Sequence, residues 1–347
     1  MKRTEDAFPV GVVVGGQYQI QRVVGSGAMG AIHEAWAYGQ RFALKSLPAA
    51  VLGGDASERR ARFLREAAVC ETIRHPNIVP VLSHGIDADS GVPYLVMPLL
   101  EGEDMAALLD RVGTLAPEVA GALFVQACAG LSAVHARGVV HRDVKPSNLF
   151  LVHDGDQVLL KVTDFGLAKV HGDGGAGSPS GLTGPTGLTG TGRFMGTPHY
   201  VSPEQAVSAK HVDARSDVFS LAMSLYHALS GAPAFAYAKS FMKLVLEITS
   251  REAPHLGEAA PWVPPSLVRV VHGALLREPS ARCPSAGELA LGLKTALGIE
   301  VTEGAVTASA LRPLTLEERE ARRRASPAAR RGGLPELPER WEDVLRA

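Results

Sequence analysis

From Tyr18 to Leu47, apolar and polar residues alternate in three short runs, Tyr18–Val24, Ala31–Ala37 and Arg41–Leu47, interrupted at Gly25–Gly30 and at Tyr38-Gly39-Gln40. A period of two broken by glycines predicts antiparallel strands. Ser57 opens a helical stretch that runs to about Arg74 and stops at His75-Pro76-Asn77, because the residue before a proline avoids the helical region. Ile78–Ile86 and Pro93–Met97 supply two more strands. After Glu103 the period lengthens to that of helices, over Met105–Val112, Pro117–Ala136, Ala214–Ser230, Ser240–Ile248, Ser266–Leu276 and Ala286–Leu297. A small antiparallel β part with one major helix, about 18–100, is thus followed by a larger, mainly helical part, about 101–297. The fold class is α+β.

Two stretches escape both periods. Gly172–Gly192 holds nine glycines in 21 residues, with the triplets Leu182-Thr183-Gly184, Pro185-Thr186-Gly187 and Leu188-Thr189-Gly190. The repeat is too short and too poor in proline for a collagen helix, so it reads as a flexible loop. From Leu311 onward nine arginines and seven acids are interspersed with Pro313, Pro327, Pro335 and Pro338. Residues 298–347 are therefore expected to form a mobile charged tail, with one short helix after the capping box Thr315-x-x-Glu318. In that tail Arg322–Pro327 has the look of a modification site and Trp341–Leu345 of a docking motif, but solvated chain is the plainer reading of both. Residues 1–17 are read as an extension ahead of the first strand.

Composition narrows the partners. At 347 residues and 46% apolar the chain can build a sizeable core, and a net charge of −1 gives no general pull toward nucleic acid or an anionic membrane. Cys70, Cys128 and Cys283 show neither zinc-ligand nor disulfide spacing, and the polar start Met1–Asp6 lacks the apolar core of a signal peptide. A cytoplasmic protein is expected. Val119–Ala136 contains no Asp, Glu, Lys or Arg over 18 residues, but Gln126, Ser132 and His135 and the nearby Asp143 favour a buried core helix over a membrane span.

The chemistry concentrates in His141-Arg142-Asp143-Val144-Lys145-Pro146-Ser147-Asn148, followed sixteen residues later by Asp164-Phe165-Gly166. An acid, a lysine two places on, an amide five places on and a second acid form the set that phosphoryl transfer from a magnesium nucleotide requires. These residues resemble the H-R-D-x-x-x-x-N and D-F-G motifs of the eukaryotic-like bacterial Ser/Thr protein kinase family. The resemblance covers roughly 18–297 and implies a bilobal protein-kinase-like fold.

It also implies roles. Asp143 orients the acceptor hydroxyl and takes its proton, Lys145 stabilises the transferred group and points to Ser/Thr acceptors, and Asn148 and Asp164 hold magnesium, with manganese as a substitute. His141 and Phe165 pack and orient the loop. Gly25-Ser26-Gly27-Ala28-Met29-Gly30 is a weak pattern by itself, and an ordinary glycine hairpin is its plain alternative. Its place between two strands, with no helix after it, is that of a kinase phosphate-covering loop. Lys45, on its own an edge-strand lysine, falls where the family places the contact to the α- and β-phosphates. Its carboxylate partner is Glu66 by the family register, with Glu58 and Glu71 as competitors.

Ile32, Ala43 and Phe150 are expected to sandwich the adenine ring of ATP, with Met97 as gatekeeper and Pro98 and Leu100 offering their backbone C=O and N–H. Forty residues separate Asp164 from Glu204 in Ser202-Pro203-Glu204. Within that span Thr189 and Thr191 resemble the autophosphorylation sites of bacterial members, and Thr197 belongs to the substrate platform. Arg142 gives such a phosphate a cationic partner. Glu204 and Arg282 are expected to form a buried ion pair, and Asp217 to anchor the catalytic loop. The partners implied are proteins bearing Ser/Thr, and the chain itself through autophosphorylation, with a transient dimer left open. A scaffold that only binds nucleotide would dispense with Lys45, Asp143 or Asp164, yet all three are present. A small-molecule phosphotransferase finds no support beside Gly196–Glu204, which looks like a polypeptide platform.

Overall fold

The computed structural model describes residues 8–27, 30–47, 56–164, 198–208, 212–299, 306–325 and 334–345. The chain divides into two compact units, one of residues 1–101 with 165–196 and one of 102–164 with 197–347.

In the first unit the alternating runs become a six-stranded sheet. Its strands are β1 (Val13–Val14), β2 (Tyr18–Gly27), β3 (Gly30–Ala37), β4 (Gln40–Ser46), β5 (Ser83–Ile86) and β6 (Pro93–Pro98), in the order β1-β2-β3-β4-β6-β5 and with every pair antiparallel. Alternation gives the sheet two buried faces. Tyr18, Ile20, Ala35, Phe42, Leu44, Tyr94 and Val96 fill one, while Ala43, Val79 and Met97 cluster separately. Helix α1 (Ala56–Glu71) buries Phe63, Ala67 and Cys70, spaced four and three apart on one stripe. The strand expected from Ile78 begins only at Ser83. Ile78, Val79 and Val81 are buried without belonging to a strand, and Pro80 among them can donate nothing to a ladder.

The second unit opens with β7 (Gly102–Asp104), α2 (Met105–Val112) and α3 (Pro117–His135), then pairs β8 (Leu149–Asp154) and β9 (Gln157–Val162) with β7 in a three-stranded antiparallel sheet. The remaining helices are α4 (Pro203–Val207), α5 (Ala214–Ser230), α6 (Phe241–Ser250), α7 (Leu256–Ala259), α8 (Pro265–Ala274), α9 (Ala286–Leu297), α10 (Leu316–Ala325) and α11 (Trp341–Leu345). Helix α3 packs against α5, α9 and β9 with most of its residues buried, and its apolar length is that of a core helix. Helix α5 is buried nearly throughout, capped by the Asp213 side chain at its start and by left-handed Gly231 at its end.

Much of the expected mobile tail is docked on this unit. Val306 and Ala308 bond the backbone of Val158 and Asp156, extending the small sheet at its β9 edge. The capping box of α10 forms as expected: Thr315 N–H donates to Glu318 Oε2 at 2.8 Å and Glu318 N–H to Thr315 Oγ1 at 3.1 Å. The helix is then tied down by Arg322 to Glu118 at 2.6 Å and by Arg319, which bonds Thr114 and stacks on the Trp262 ring. Trp341, read as solvated, is 3% exposed. Gly273 on α8 and Gly292 on α9 make room for it: a Cβ at Gly273 would stand 2.9 Å from the indole, and one at Gly292 3.0 Å. A glycine in a helix interior costs about 1 kcal/mol relative to alanine, so α9 is weakened at Gly292 where the indole sits. The charge and proline content that suggested solvation says nothing about such distant partners.

Candidate active site

In the sheet unit the glycine run falls on the β2–β3 hairpin, where Gly25 faces Ile32, Ser26 faces Ala31 and Gly27 faces Gly30. Gly30 takes φ 108°, and a Cβ there would overlap the Ser46 carbonyl, so a side chain could not stand this close to β4. Ala28 and Met29 lie outside the described residues. Lys45 is buried on β4, opposite Ile32 and Leu95, and alternation puts it on the same face as Ala43. Ala43 opposes Met97, and Ile32, Leu99 and Leu100 pack on that cluster. Ile32 and Ala43, expected to flank adenine, thus share one apolar surface with Met97, the expected gatekeeper, and with Leu100, expected to offer its N–H. Pro98 ends β6 opposite Phe42.

Val79 and Leu99 also belong to this surface, although no motif marks them. Glu66 is half-buried on α1, next to the fully buried Ala67. Of its competitors, Glu71 is engaged by His84, with Oε2 2.9 Å from Nδ1, and the side chain of Glu58 lies outside the described residues.

In the helical unit the catalytic-loop motif is held from three directions. The Asp217 carboxylate, 1% exposed on α5, accepts the backbone N–H of His141 at 2.7 Å and of Arg142 at 2.8 Å, and lies 2.8 Å from Nε2 of His135 on α3. His141 is fully buried; its Nε2–H donates to the Thr163 carbonyl and its Nδ1 accepts from the Asp143 N–H. That single tautomer ties the loop to the strand that leads into Asp164. Gln205, at the third position of α4, donates from Nε2 to the Arg142 carbonyl at 3.0 Å while its Oε1 accepts from Ser202 N–H. Arg142 has φ 63° and Asp164 φ 59°, left-handed values that cost a non-glycine residue about 1–2 kcal/mol and that functional sites retain.

These supports gather the polar set. Lys145 Nζ lies 2.9 Å from Asp143 Oδ2, and Asn148 Nδ2 donates both to that oxygen at 3.0 Å and to the Asp143 carbonyl at 2.8 Å. The register of β8 and β9 opposes Leu149 to Val162, and Thr163 N–H donates to the Asn148 carbonyl at 2.9 Å. Asn148 and the residue before Asp164 are thereby neighbours. Phe150 is half-buried on β8 in this unit. The residues missed in the sequence are Gln205 and His135. The Ser202-x-x-Gln205 spacing is a capping box and pointed to the first, whereas nothing local marks the second.

Glu204 of the same short helix meets Arg282. The guanidinium is bidentate, with Nη1 at 2.7 Å from Oε1 and Nη2 at 3.0 Å from Oε2, and Ser216 Oγ adds a bond at 2.6 Å. Burial by itself would raise the Glu204 carboxyl, but these donors hold it below its ordinary range. Phe165, Thr189, Thr191 and Thr197 lie outside the described residues.

Comparison with known proteins follows the same residues. Positions 18–289 match the family described as Protein kinase domain. The chain is 34% identical over 283 residues to the serine/threonine-protein kinase PknD of Mycobacterium tuberculosis, covering 81% of this chain and 40% of PknD. It is 33% identical over 288 residues to a probable serine/threonine-protein kinase of Streptomyces coelicolor, again 40% of that protein. The chain thus spans about two fifths of the length of these relatives. The crystal structure of the Mycobacterium tuberculosis PknI kinase domain superposes with a TM-score of 0.63 at 26% identity, covering 84% of this chain and 100% of that one. With an antiparallel sheet unit, a helical unit and a catalytic-loop motif braced from α3, α4 and α5, the chain belongs to the protein kinase domain family, beside the bacterial serine/threonine kinases.

Proposed function

We propose that this chain transfers the γ-phosphoryl group of Mg-ATP to Ser and Thr hydroxyls of proteins. The observation that carries the reading is the bonded set Asp143–Lys145–Asn148, joined through the β8–β9 register to the position before Asp164. The donors suit a hard cation. Asn148 commits its amide nitrogen to Asp143, so its oxygen is the atom that would hold a metal, and Asp164 would add a carboxylate. Among the described residues no group of three or more His, Cys, Asp or Glu that could hold a metal ion by itself occurs. The cation would complete its shell with water and phosphate oxygens, as Mg2+ does and Mn2+ can. Bound Mg-ATP supplies the phosphoryl group and neutralises charge on it.

The chain's residues do the rest. Asp143 accepts the proton of the acceptor hydroxyl and Lys145 balances charge where that oxygen approaches phosphorus. Lys45, paired with Glu66, holds the α- and β-phosphates, the Gly25–Gly30 hairpin offers backbone N–H groups, Ile32, Ala43 and Phe150 sandwich adenine, Met97 is the gatekeeper, and Pro98 and Leu100 offer their backbone C=O and N–H. Lysine two places after the catalytic acid supports Ser/Thr acceptors. Three buried free thiols suit the reducing cytoplasm, where ATP is made.

Phosphorylation of Thr189 and Thr191 by the chain itself is proposed to order the glycine-rich loop against Arg142, and Thr197 to contact Asp143 and Lys145. A Thr189→Ala, Thr191→Ala chain made without phosphate should be slower than phosphorylated wild type; equal rates would refute this switch. The function itself is tested with γ-labelled ATP, a panel of protein and small-molecule acceptors, and phosphoamino-acid analysis. Label on serine or threonine supports the reading. Nucleotide binding without transfer, or transfer only to small molecules, overturns it.

A further inference from the structure

The docked C-terminal segment reaches the supports of the catalytic loop by a continuous path. The Trp341 indole fills the notch between α8 and α9 left by Gly273 and Gly292, and its backbone N–H donates to the Ala281 carbonyl at 2.8 Å. Arg269 to the Asp343 carbonyl at 2.6 Å and His255 to the Pro335 carbonyl at 3.0 Å hold the same segment on either side. The next residue, Arg282, grips Glu204 with both nitrogens, and Glu204 precedes Gln205, whose amide holds the Arg142 carbonyl beside Asp143. Each step is a bond or a peptide link within one unit. The indole N–H meets no acceptor among the described residues, so shape and the Ala281 bond hold the anchor.

We infer that Trp341 is a positioning residue for phosphoryl transfer, setting the catalytic loop through Ala281, Arg282, Glu204 and Gln205. This rests on the kinase reading above. The α8–α9 notch is the receiving site, its occupant the segment 334–345 of the same chain, and the two glycines are the sequence cost of admitting an indole. Seating or releasing that segment changes the rate of transfer with little change in how nucleotide binds, because Lys45 and the apolar surface around Ala43 belong to the other unit.

The test uses the full chain and three variants, with kcat, KM for ATP and backbone hydrogen exchange measured for each. Trp341→Ala should lower kcat by between about two- and thirty-fold, the span of coupling through packed contacts, with KM for ATP within about twofold of wild type. Exchange should rise at residues 203–208 and 139–148. Trp341→Phe should restore at least half of kcat. Gly292→Ala approaches the notch from α9 with a Cβ 3.0 Å from the indole and introduces a residue that helices favour, so it separates displacement of the indole from loss of fold; it should produce the same changes in direction, smaller in size. In a Gln205→Ala background, Trp341→Ala should have little further effect on kcat. Unchanged kcat and unchanged exchange at 203–208 in both Trp341→Ala and Gly292→Ala overturn the inference, as does additivity with Gln205→Ala. If wild type transfers no phosphate the kinase reading fails, while exchange at 203–208 still decides whether the path from Trp341 exists.

Discussion

Replacing Arg282 with alanine gives the sharpest stability prediction. All five N–H groups of this guanidinium are used: Nε to the Leu276 carbonyl, Nη1 to Glu204 and the Arg215 carbonyl, Nη2 to Glu204 and the Arg277 carbonyl, over 2.7–3.0 Å. The side chain is fully buried and its carbon sits 5.0 Å from the Phe219 ring centre. Removal strands the Glu204 carboxylate with Ser216 as its remaining side-chain donor and leaves three carbonyls without that donor. Breaking such a buried pair costs about 3–5 kcal/mol, a large part of a total stability of about 5–15 kcal/mol. Urea unfolding followed by tryptophan fluorescence reads it, since Trp262 and Trp341 both lie in the helical unit.

The pH dependence supplies a second signature. In wild type the folded carboxyl lies below its unfolded value, so its stabilisation is present above about pH 4.3 and disappears as pH falls through the folded value. Without Arg282, burial would dominate and raise the folded value, so an ionised Glu204 destabilises at neutral pH and protonation relieves it. The gap between the two proteins should therefore be widest near pH 7 and narrow toward about pH 4. A gap below about 1 kcal/mol, or one that is the same at both pH values, would show that the Arg282–Glu204 pair does not brace the fold.

Burial first, and then the neighbouring charge of His255, push the His272 imidazole down to about 3, and its Nε2 accepts the Leu256 N–H at 3.0 Å. Because the folded value is depressed, acid favours the unfolded chain: near pH 5 this group should cost about 2 kcal/mol relative to pH 7, and in urea unfolding His272→Gln should flatten that limb. An unchanged limb would contradict it. Asp217→Ala removes the acceptor for one buried and one part-buried backbone N–H, so at about 1–3 kcal/mol each stability should fall by about 2–6 kcal/mol, with transfer activity falling further than the folded fraction. Circular dichroism and activity measured on the same samples decide this, and activity that only tracks the folded fraction would be the contrary result.

What could be read from the sequence was what local rules govern. Helices α2, α5 and α9 occupy the expected residues because Asp104, Asp213 and Ser285 cap their starts and Gly113, Gly231 and Gly298 close their ends. The polar set of the catalytic loop was legible because its members lie within 24 residues and the spacing is rigid. The β8–β9 hairpin was missed, since Leu149–Val152 follows directly on the motif and its partner strand is marked by no proline or long apolar run. Val79 joins Ala43 and Met97 only through folding of the sheet unit, and Trp341 reaches its notch only once α8 and α9 have packed. Contacts between residues this far apart leave no periodic trace.

Asp143, held by Lys145 and Asn148, is the proposed proton acceptor in transfer from ATP. Its most direct test is the single-turnover rate of phosphate transfer from Mg-ATP to a serine- or threonine-bearing protein, for wild type and Asp143→Asn at saturating nucleotide. The variant should lose about 10²–10⁴-fold in rate with ATP affinity unchanged, the range a positioned proton acceptor contributes. A variant that transfers phosphate within about twofold of the wild-type rate would contradict it.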